Sequence, residues 1–105
     1  MRKHLIDFKN ITWTDGGKGI RYKVYKKENQ QFRLVEFTEG FVEEDWCRYG
    51  HAGYLLEGSF AIDFNGETER YEVGEMAFIP QGEEDKHKAI IGKGERVLLL
   101  LFELI

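Results

Sequence analysis

The segment from residue 45 to residue 51 carries the side chains best suited to chemistry. It reads Asp-Trp-Cys-Arg-Tyr-Gly-His, so ligand-capable groups fall at alternate positions. In an extended strand, residues two apart project to the same face. A strand here would therefore align a carboxylate, a thiol, a phenol and an imidazole, from Asp45, Cys47, Tyr49 and His51. Three of these four groups are common metal ligands.

One strand cannot surround an ion, because its same-face residues lie roughly 6.5–7 Å apart. A further donor must come from elsewhere in the chain, and His87 is the obvious candidate. His4, near the N-terminus, is expected to be solvent-exposed. We therefore predict a site with Cys47, His51 and His87 as ligands and Asp45 as a fourth candidate. One thiolate and two imidazoles suit Zn²⁺, Fe²⁺, Ni²⁺ or Cu²⁺. Three protein ligands with an open coordination position are typical of a catalytic rather than a structural metal site.

The same residues also have structural interpretations. A lone cysteine is often buried as a small apolar side chain, so Cys47 could fill the core. His51 could be a hydrogen-bonded interior histidine, although the neighbouring Gly50 and Gly53 would also allow a ligand to approach. Trp46 and Tyr49 are typical of core or interface aromatics. These alternatives remain open at the level of sequence.

The elements that must position these residues are predicted to be strands, and no segment indicates a helix. Short segments with period-two alternation of apolar and polar residues lie between closely spaced glycines. Asn65-Gly66 joins two of them and is the preferred dipeptide of a type I′ hairpin turn, in which both residues need positive φ. The predicted strands span 20–26, 32–38, 51–57, 60–64, 69–73, 76–79, 88–91 and 97–104.

The segment 97–102 is continuously apolar, without alternation. Both faces of such a strand should be covered by apolar groups. A sandwich interior on one side and a subunit interface on the other would satisfy this requirement. Many short strands separated by turns are typical of an all-β sandwich or barrel. The cluster of charged residues at 83–86 is expected to cap a solvent-facing loop.

Length and composition exclude several classes of protein. The chain has 105 residues, which predicts one domain, and its net charge of −4 is opposite to that of a nucleic-acid binder. Its longest apolar run is far shorter than the roughly 20 residues that span a bilayer. The single cysteine excludes an internal disulfide and fits a reducing compartment, and the first residues do not resemble a secretory signal. We expect a cytoplasmic protein that binds neither nucleic acid nor membrane.

Two motifs resemble those of the cupin superfamily. In the second, Gly74 is followed after five residues by Pro80-Gln81-Gly82, with His87 beyond. In the first, the strand Tyr54-Leu55-Leu56-Glu57-Gly58 is present, and Gly66 matches the closing glycine. The resemblance covers roughly residues 35 to 103. It implies an all-β fold, a double-stranded β-helix or jelly-roll barrel, in one domain over 1–105 with N-terminal strands in 1–34.

The resemblance also assigns candidate site positions. Counting back from Tyr54, His51 stands where the family has a glutamate, and Cys47 and Asp45 stand at its two histidines. The last family histidine is expected at Asp85, but we assign its role to His87, in a longer loop, and keep Asp85 as the alternative. The arrangement is similar to a small bacterial subset with a Trp-Cys pair followed by Gly-His, here Trp46-Cys47 and Gly50-His51.

These assignments predict a small cupin with a metal site in its barrel. Its chemistry would be metal-assisted oxygenation or isomerisation of a small organic molecule, with Tyr49 or Glu57 as acid or base. The alternative is a metal-free domain that binds or senses a small ligand without catalysis. A third interpretation is a scaffold or dimerisation module. The resemblance and the apolar strand both predict a homodimer.

Overall fold

The chain folds into two antiparallel sheets that enclose a barrel. The structure, a computed structural model, describes residues 2–104 and contains no α-helix within them. A 3₁₀ turn spans Phe8–Asn10. The strands are β1 (Thr14–Asp15), β2 (Ile20–Lys27), β3 (Gln30–Thr38), β4 (His51–Glu57), β5 (Phe60–Phe64), β6 (Glu67–Tyr71), β7 (Met76–Ile79), β8 (Lys88–Ile90) and β9 (Arg96–Leu104). One sheet has the order β1-β2-β3-β9-β4-β7 and the other β6-β5-β8.

All eight predicted strands are present, and β4, β5 and β7 have the predicted bounds. Asn65 and Gly66 adopt φ values of +52° and +102°, as the predicted turn requires. The predicted strand 69–73 is wrong by two residues: β6 begins at Glu67, because a two-residue turn leads directly into the next strand. The two-residue β1 was not predicted, since it is too short to show a pattern.

Residues 45–50 do not form the extended strand that would align their alternate side chains, and β4 begins only at His51. Between β3 and β4 the chain makes only isolated bridges, at Val42 and Cys47. Side-chain contacts hold this segment to the loop before β8 and to the first residue of β8. Arg48 pairs with Glu83, and Trp46 lies beneath Lys88, whose Nζ is 4.7 Å from the ring centroid. Alternate side chains from 45 to 51 therefore do not share one face.

The core lies between the two sheets. The register of the paired strands decides which buried side chains stand next to each other in it. Val35 pairs with Leu99, and Leu99 with Leu55, which aligns buried side chains across three neighbouring strands of the large sheet. Phe60 and Ile62 of β5 face them from the small sheet within the same core cluster. Each of these side chains is almost fully removed from water, which is the main favourable contribution to folding.

β9 is one of the two central strands of the large sheet, and its burial alternates. Val97, Leu99 and Leu101 are buried, whereas Phe102 and Leu104 are exposed. The prediction that apolar groups cover β9 is thus confirmed for its inner face. On its outer face, the side chains near Leu104 are exposed to solvent. Within residues 2–104, no helix is long and apolar enough to cross a membrane.

Candidate functional site

A cavity of about 140 Å³ lies between the two sheets. For comparison, an engineered protein cavity of about 150 Å³ accommodates benzene. Apolar side chains form most of its wall, including Val35, Leu55, Phe60, Ile62, Leu99 and Leu101. Its polar lining residues include Arg33, Glu43, Cys47, His51 and His87. The cavity has the size and character of a pocket for a small organic molecule.

Cys47 and His87 are direct neighbours across a β-bridge. The amide of Cys47 donates to the carbonyl of His87 over 2.9 Å, and the amide of His87 donates back to the carbonyl of Cys47 over 3.0 Å. Residues that exchange both hydrogen bonds point their side chains to the same side of the ladder. Because both residues line the cavity, the thiol and the imidazole reach it side by side.

His51 meets His87 inside the cavity. His51 is the first residue of β4, and its Nε2 lies 3.2 Å from Nε2 of His87. The two rings are nearly perpendicular, at 81°. Both side chains are removed from water: His87 is 5% exposed and the His51 side chain 11%. Two buried nitrogens in contact must share a proton or another cation, because two lone pairs repel each other.

The other nitrogen of each ring faces an oxygen. Nδ1 of His87 lies 3.0 Å from the carbonyl oxygen of Asp85, which can only accept, so this nitrogen carries the hydrogen. Nδ1 of His51 lies 3.4 Å from Oε2 of Glu103 and makes no hydrogen bond within the described chain. A carboxylate also only accepts, so it favours a hydrogen on that nitrogen as well. Both Nε2 atoms would then present lone pairs to each other.

Glu103 is held as a buried carboxylate. Arg33 donates to its two oxygens over 2.7 and 2.9 Å, and Nε2 of Gln31 donates over 2.8 Å. Burial alone would raise the pKa of Glu103, but its contacts with His51, Arg33 and Gln31 outweigh burial and lower that pKa to about 2. Glu103 therefore stays ionised beside His51 at any physiological pH.

The thiol and the second imidazole affect each other's ionisation. His87 lowers the pKa of the Cys47 thiol against the opposing effect of burial. Burial lowers the pKa of His87, but Cys47 and the carbonyl of Asp85 outweigh it and raise that pKa. Glu43, which also lines the cavity, accepts a hydrogen bond from the amide of Ala89 over 2.7 Å. The cavity end thus favours a thiolate beside a protonated or cation-bound imidazole.

The structure brings together three of the predicted site residues, Cys47, His51 and His87. Asp45 and Tyr49 are exposed and lie outside the cavity wall, because the segment that carries them is not a strand. Glu57 is exposed and pairs with Arg96 over 2.9 Å. Asp85 contributes its carbonyl oxygen rather than its carboxylate.

Sequence reasoning missed Arg33, Glu43 and Glu103. Arg33 and Glu103 lie on the inner faces of β3 and β9, respectively. Each stands an even number of positions from buried apolar residues of its own strand, and residues so spaced share a face. The available signal was a charged residue within a predicted strand, at 32–38 and at 97–104, although the sequence pattern did not show which face it takes. Glu43 lies in the irregular segment before β4, where no periodicity marks which residues point inward.

The donor set fits a metal in part. Two imidazole nitrogens converge, with a thiol beside one of them, and these are ligands of Zn²⁺ and of late first-row metals. Among the described residues, however, no group of three or more His, Cys, Asp or Glu side chains converges closely enough to hold an ion. A third protein ligand would have to move toward the two histidines.

The sequence matches no protein-family model and no curated protein. Solved structures do match it. The polyketide cyclase RemF from Streptomyces resistomycificus superimposes with a TM-score of 0.77 at 20% identity, over 93% of this chain and 76% of that one. An RmlC-like cupin from Shewanella frigidimarina gives 0.75 at 18%, over 94% and 87%. The protein has the cupin fold.

KdgF from a Halomonas species is a further match to this chain, with a TM-score of 0.73 at 22% identity, over 90% of this chain and 86% of that one. The resemblance that the sequence motifs indicated is therefore confirmed for the fold, an all-β jelly-roll barrel. The narrower subset with a Trp-Cys pair and Gly-His stays a prediction. At such identities the likeness concerns the fold, and fold alone does not select a reaction.

Proposed function

We propose that this cupin binds one divalent transition metal through Nε2 of His51 and of His87, and a small organic molecule in the adjoining cavity. The contact between these two nitrogens, 3.2 Å apart, carries the proposal. Ligands about 2.0–2.1 Å from one zinc ion at a tetrahedral angle are separated by roughly 3.3 Å. The observed separation is therefore one that two ligands of a single ion would have.

The distribution of protons supports a cation at this point. Asp85 and Glu103 each favour a hydrogen on Nδ1 of the histidine they face, which leaves a lone pair on both Nε2 atoms. A hydrogen bond between the two rings needs one Nε2 to carry a hydrogen. If His51 were that donor and neutral, its bare Nδ1 would face the Glu103 carboxylate. A metal ion bound to both Nε2 atoms removes the conflict.

We propose Cys47 as the third ligand. It lies opposite His87 in the same bridge, and rotation about its single side-chain torsion redirects the sulfur. A thiolate with two imidazoles suits Zn²⁺, Fe²⁺, Ni²⁺ or Cu²⁺. A single free thiol also fits a reducing compartment, so we propose that the protein is cytosolic.

The metal would supply Lewis acidity at the polar end of the cavity. The side chains of the protein would orient the ligands and enclose the organic molecule. Glu103 would orient His51, and the apolar wall would exclude water and confine the organic molecule beside the histidines. We propose metal-assisted oxygenation or isomerisation of a small organic molecule as the class of reaction, carried by one cupin domain.

A metal-free binding domain is the second candidate, and one observation favours it. No three ligand side chains converge within the described residues. A second proton on one histidine would also bridge the two Nε2 atoms, and His87 has a raised pKa. Cys47 and His51 would then be part of the cavity wall, and the protein would bind or sense a ligand without turnover.

Elemental analysis of protein purified without chelator or metal-affinity resin tests the proposal. We expect about one equivalent of a transition metal in the wild type and its loss from both His51→Ala and His87→Ala. His4→Ala, at an exposed histidine, should keep the metal and serves as the matched control. Wild-type protein that stays metal-free after incubation with each candidate ion, with all variants folded, would support the metal-free candidate instead.

A further inference from the structure

The cavity has an aromatic end as well as a polar one. Four aromatic side chains line it, Phe37, Phe41, Phe60 and Tyr71. The ring centroid of Phe37 lies 4.7 Å from that of Phe41 and 6.4 Å from that of Phe60, and Phe60 lies 6.2 Å from Tyr71. Along β3, Phe37 follows Arg33 by four positions, which separates the two ends by about 13 Å. A ligand in the cavity therefore has rings on one side and polar groups on the other.

The space between these ends fits a molecule with a single ring. The cavity volume of about 140 Å³ is close to that of an engineered cavity of about 150 Å³ that binds benzene. Small residues leave this space open, since Gly53 and Ala77 pair across β4 and β7 and both line the cavity. Rings in a wall favour an aromatic ligand, because aromatic groups pack well in offset or edge-on contacts.

The charges of the wall disfavour an anionic ligand. Within residues 2–104, Arg33 is the one arginine or lysine that lines the cavity. The carboxylate of Glu103 neutralises it through hydrogen bonds of 2.7 and 2.9 Å. Glu43 and Glu75 line the cavity as well, and neither forms an ion pair with another described residue. A divalent metal ion bound to one thiolate would add a single positive charge and would not reverse this balance.

Glu43 is fixed beside the histidines with one oxygen to spare. Its Oε1 accepts a hydrogen bond from the amide of Ala89 over 2.7 Å, whereas its Oε2 has no donor within the described chain. Ala89 follows His87 by two positions, and both residues line the cavity. A carboxylate oxygen only accepts, so the ligand must bring a donor. An ammonium group would bring three, and the mostly apolar wall would leave some of them unpaired at a high cost. A hydroxyl brings one.

We propose that the cavity binds a small neutral phenol, whose ring lies toward the aromatic end and whose hydroxyl donates to Oε2 of Glu43. Glu43 thereby selects hydroxy compounds over carboxylates of the same size. Binding of the hydroxyl oxygen by a metal at His51 and His87 rests on the proposed function. The position of the ring and the hydrogen bond to Glu43 do not need the metal.

Isothermal titration calorimetry of chelator-treated protein tests this with phenol, toluene, benzoate and benzylamine, which are similar in size. We expect phenol to bind at least about tenfold more tightly than each of the others, because toluene lacks the hydroxyl and the other two are charged. In Glu43→Gln, the preference for phenol over benzoate should fall at least about tenfold, because the charge that repels benzoate is gone. Glu44→Gln makes the same change at the exposed neighbouring residue and should bind as the wild type does.

Ala77→Leu places a larger side chain in the cavity wall and should abolish phenol binding. Phenol that still binds to this variant, with its fold verified by circular dichroism, would occupy another place and overturn the proposal. No binding of phenol to the wild type would also overturn it, as would equal or tighter binding of benzoate or benzylamine, or an unchanged preference in folded Glu43→Gln.

The same titrations with zinc-treated protein separate this proposal from that of the metal site. Protein that takes up no zinc but binds phenol in a Glu43-dependent way would contradict the metal site and support the phenol site. Protein that holds zinc at the histidines but does not distinguish phenol from benzoate would support the metal site and overturn the phenol site.

Discussion

The carboxylate of Glu103 lies 3.4 Å from Nδ1 of His51, and it is fixed there by Arg33 and Gln31. Glu103 is near the end of β9, while His51 begins β4, which pairs with β9. A carboxylate in this position orients a metal-binding imidazole and makes its Nε2 a better donor.

Glu103→Gln should therefore weaken metal binding about 10- to 100-fold while leaving both histidines in place. A glutamine keeps the size of the side chain but removes the charge that faces His51. Competition with a chromophoric chelator would measure the affinity. Glu67→Gln, at an exposed position of β6, is the control and should bind as the wild type does. Equal affinities for all three proteins would show that Glu103 has no such role.

The thiol of Cys47 should react at lower pH than an ordinary cysteine. Because His87 lowers the pKa of this thiol, more thiolate is present below the usual thiol pKa, and the thiolate is the nucleophile. Cys47 is the sole cysteine, so alkylation by iodoacetamide reports on it alone. The rate should be followed against pH in chelator-treated protein. His87→Gln should shift the profile upward; an unshifted profile in that variant would contradict the assignment.

Glu36 should make stability depend on pH in the acid range. It is buried at 7% exposure on the outer side of β3, and Arg21 and Arg96 each contact it at 2.7 Å. Arg21 first, and then Arg96, lower its pKa against the effect of burial. A lowered native pKa stabilises the fold above the unfolded pKa, and this stabilisation is lost as pH falls toward the native value.

Urea unfolding from pH 7 to pH 3 would measure this effect. The free energy of unfolding of the wild type should fall more steeply below the ordinary glutamate pKa than that of Glu36→Gln, which has no carboxyl to titrate there. Glu44→Gln, at an exposed position, should retain the wild-type slope. Parallel curves for the wild type and Glu36→Gln would refute the prediction.

Two glycines with positive φ should differ in their tolerance of alanine. At Gly66, φ is +102° and an added Cβ meets open space, so Gly66→Ala should cost only backbone strain, about 1–2 kcal/mol. At Gly58, φ is +86° and an added Cβ would overlap the carbonyl oxygen of Arg96. Gly58→Ala should therefore cost about 1–3 kcal/mol more. Thermal or urea unfolding of both variants would compare them, and equal losses would contradict the clash.

Most strands could be predicted from the sequence because each has a periodic pattern and ends at a glycine or turn. The inward positions of Phe60 and Ile62, for example, follow from alternation alone. The segment 45–51 also alternates, yet it is irregular. Its conformation depends on contacts with the distant loop before β8, such as that between Arg48 and Glu83, which no local pattern shows.

The site could be predicted in part for a similar reason. His87 meets Cys47, about 40 positions earlier in the chain, and His51, 36 positions earlier. The motif spacing indicated that all three residues belong to one site. Glu103 was included in a predicted strand, but the apolar run before it has no alternation in sequence, so its inward position was hidden. Only the pairing of β9 with β3 and β4 defines that position.

The alternation of β9 has a consequence for how this sequence can vary. Leu99, Leu101 and Glu103 serve the core and the site, whereas Leu100 and Phe102 belong to the outer face. Substitutions can change one set without the other. A one-residue insertion or deletion within β9 would exchange the two sets beyond that point, since side chains alternate with a period of two. Related sequences should thus vary in residue type along β9 but keep its length unchanged.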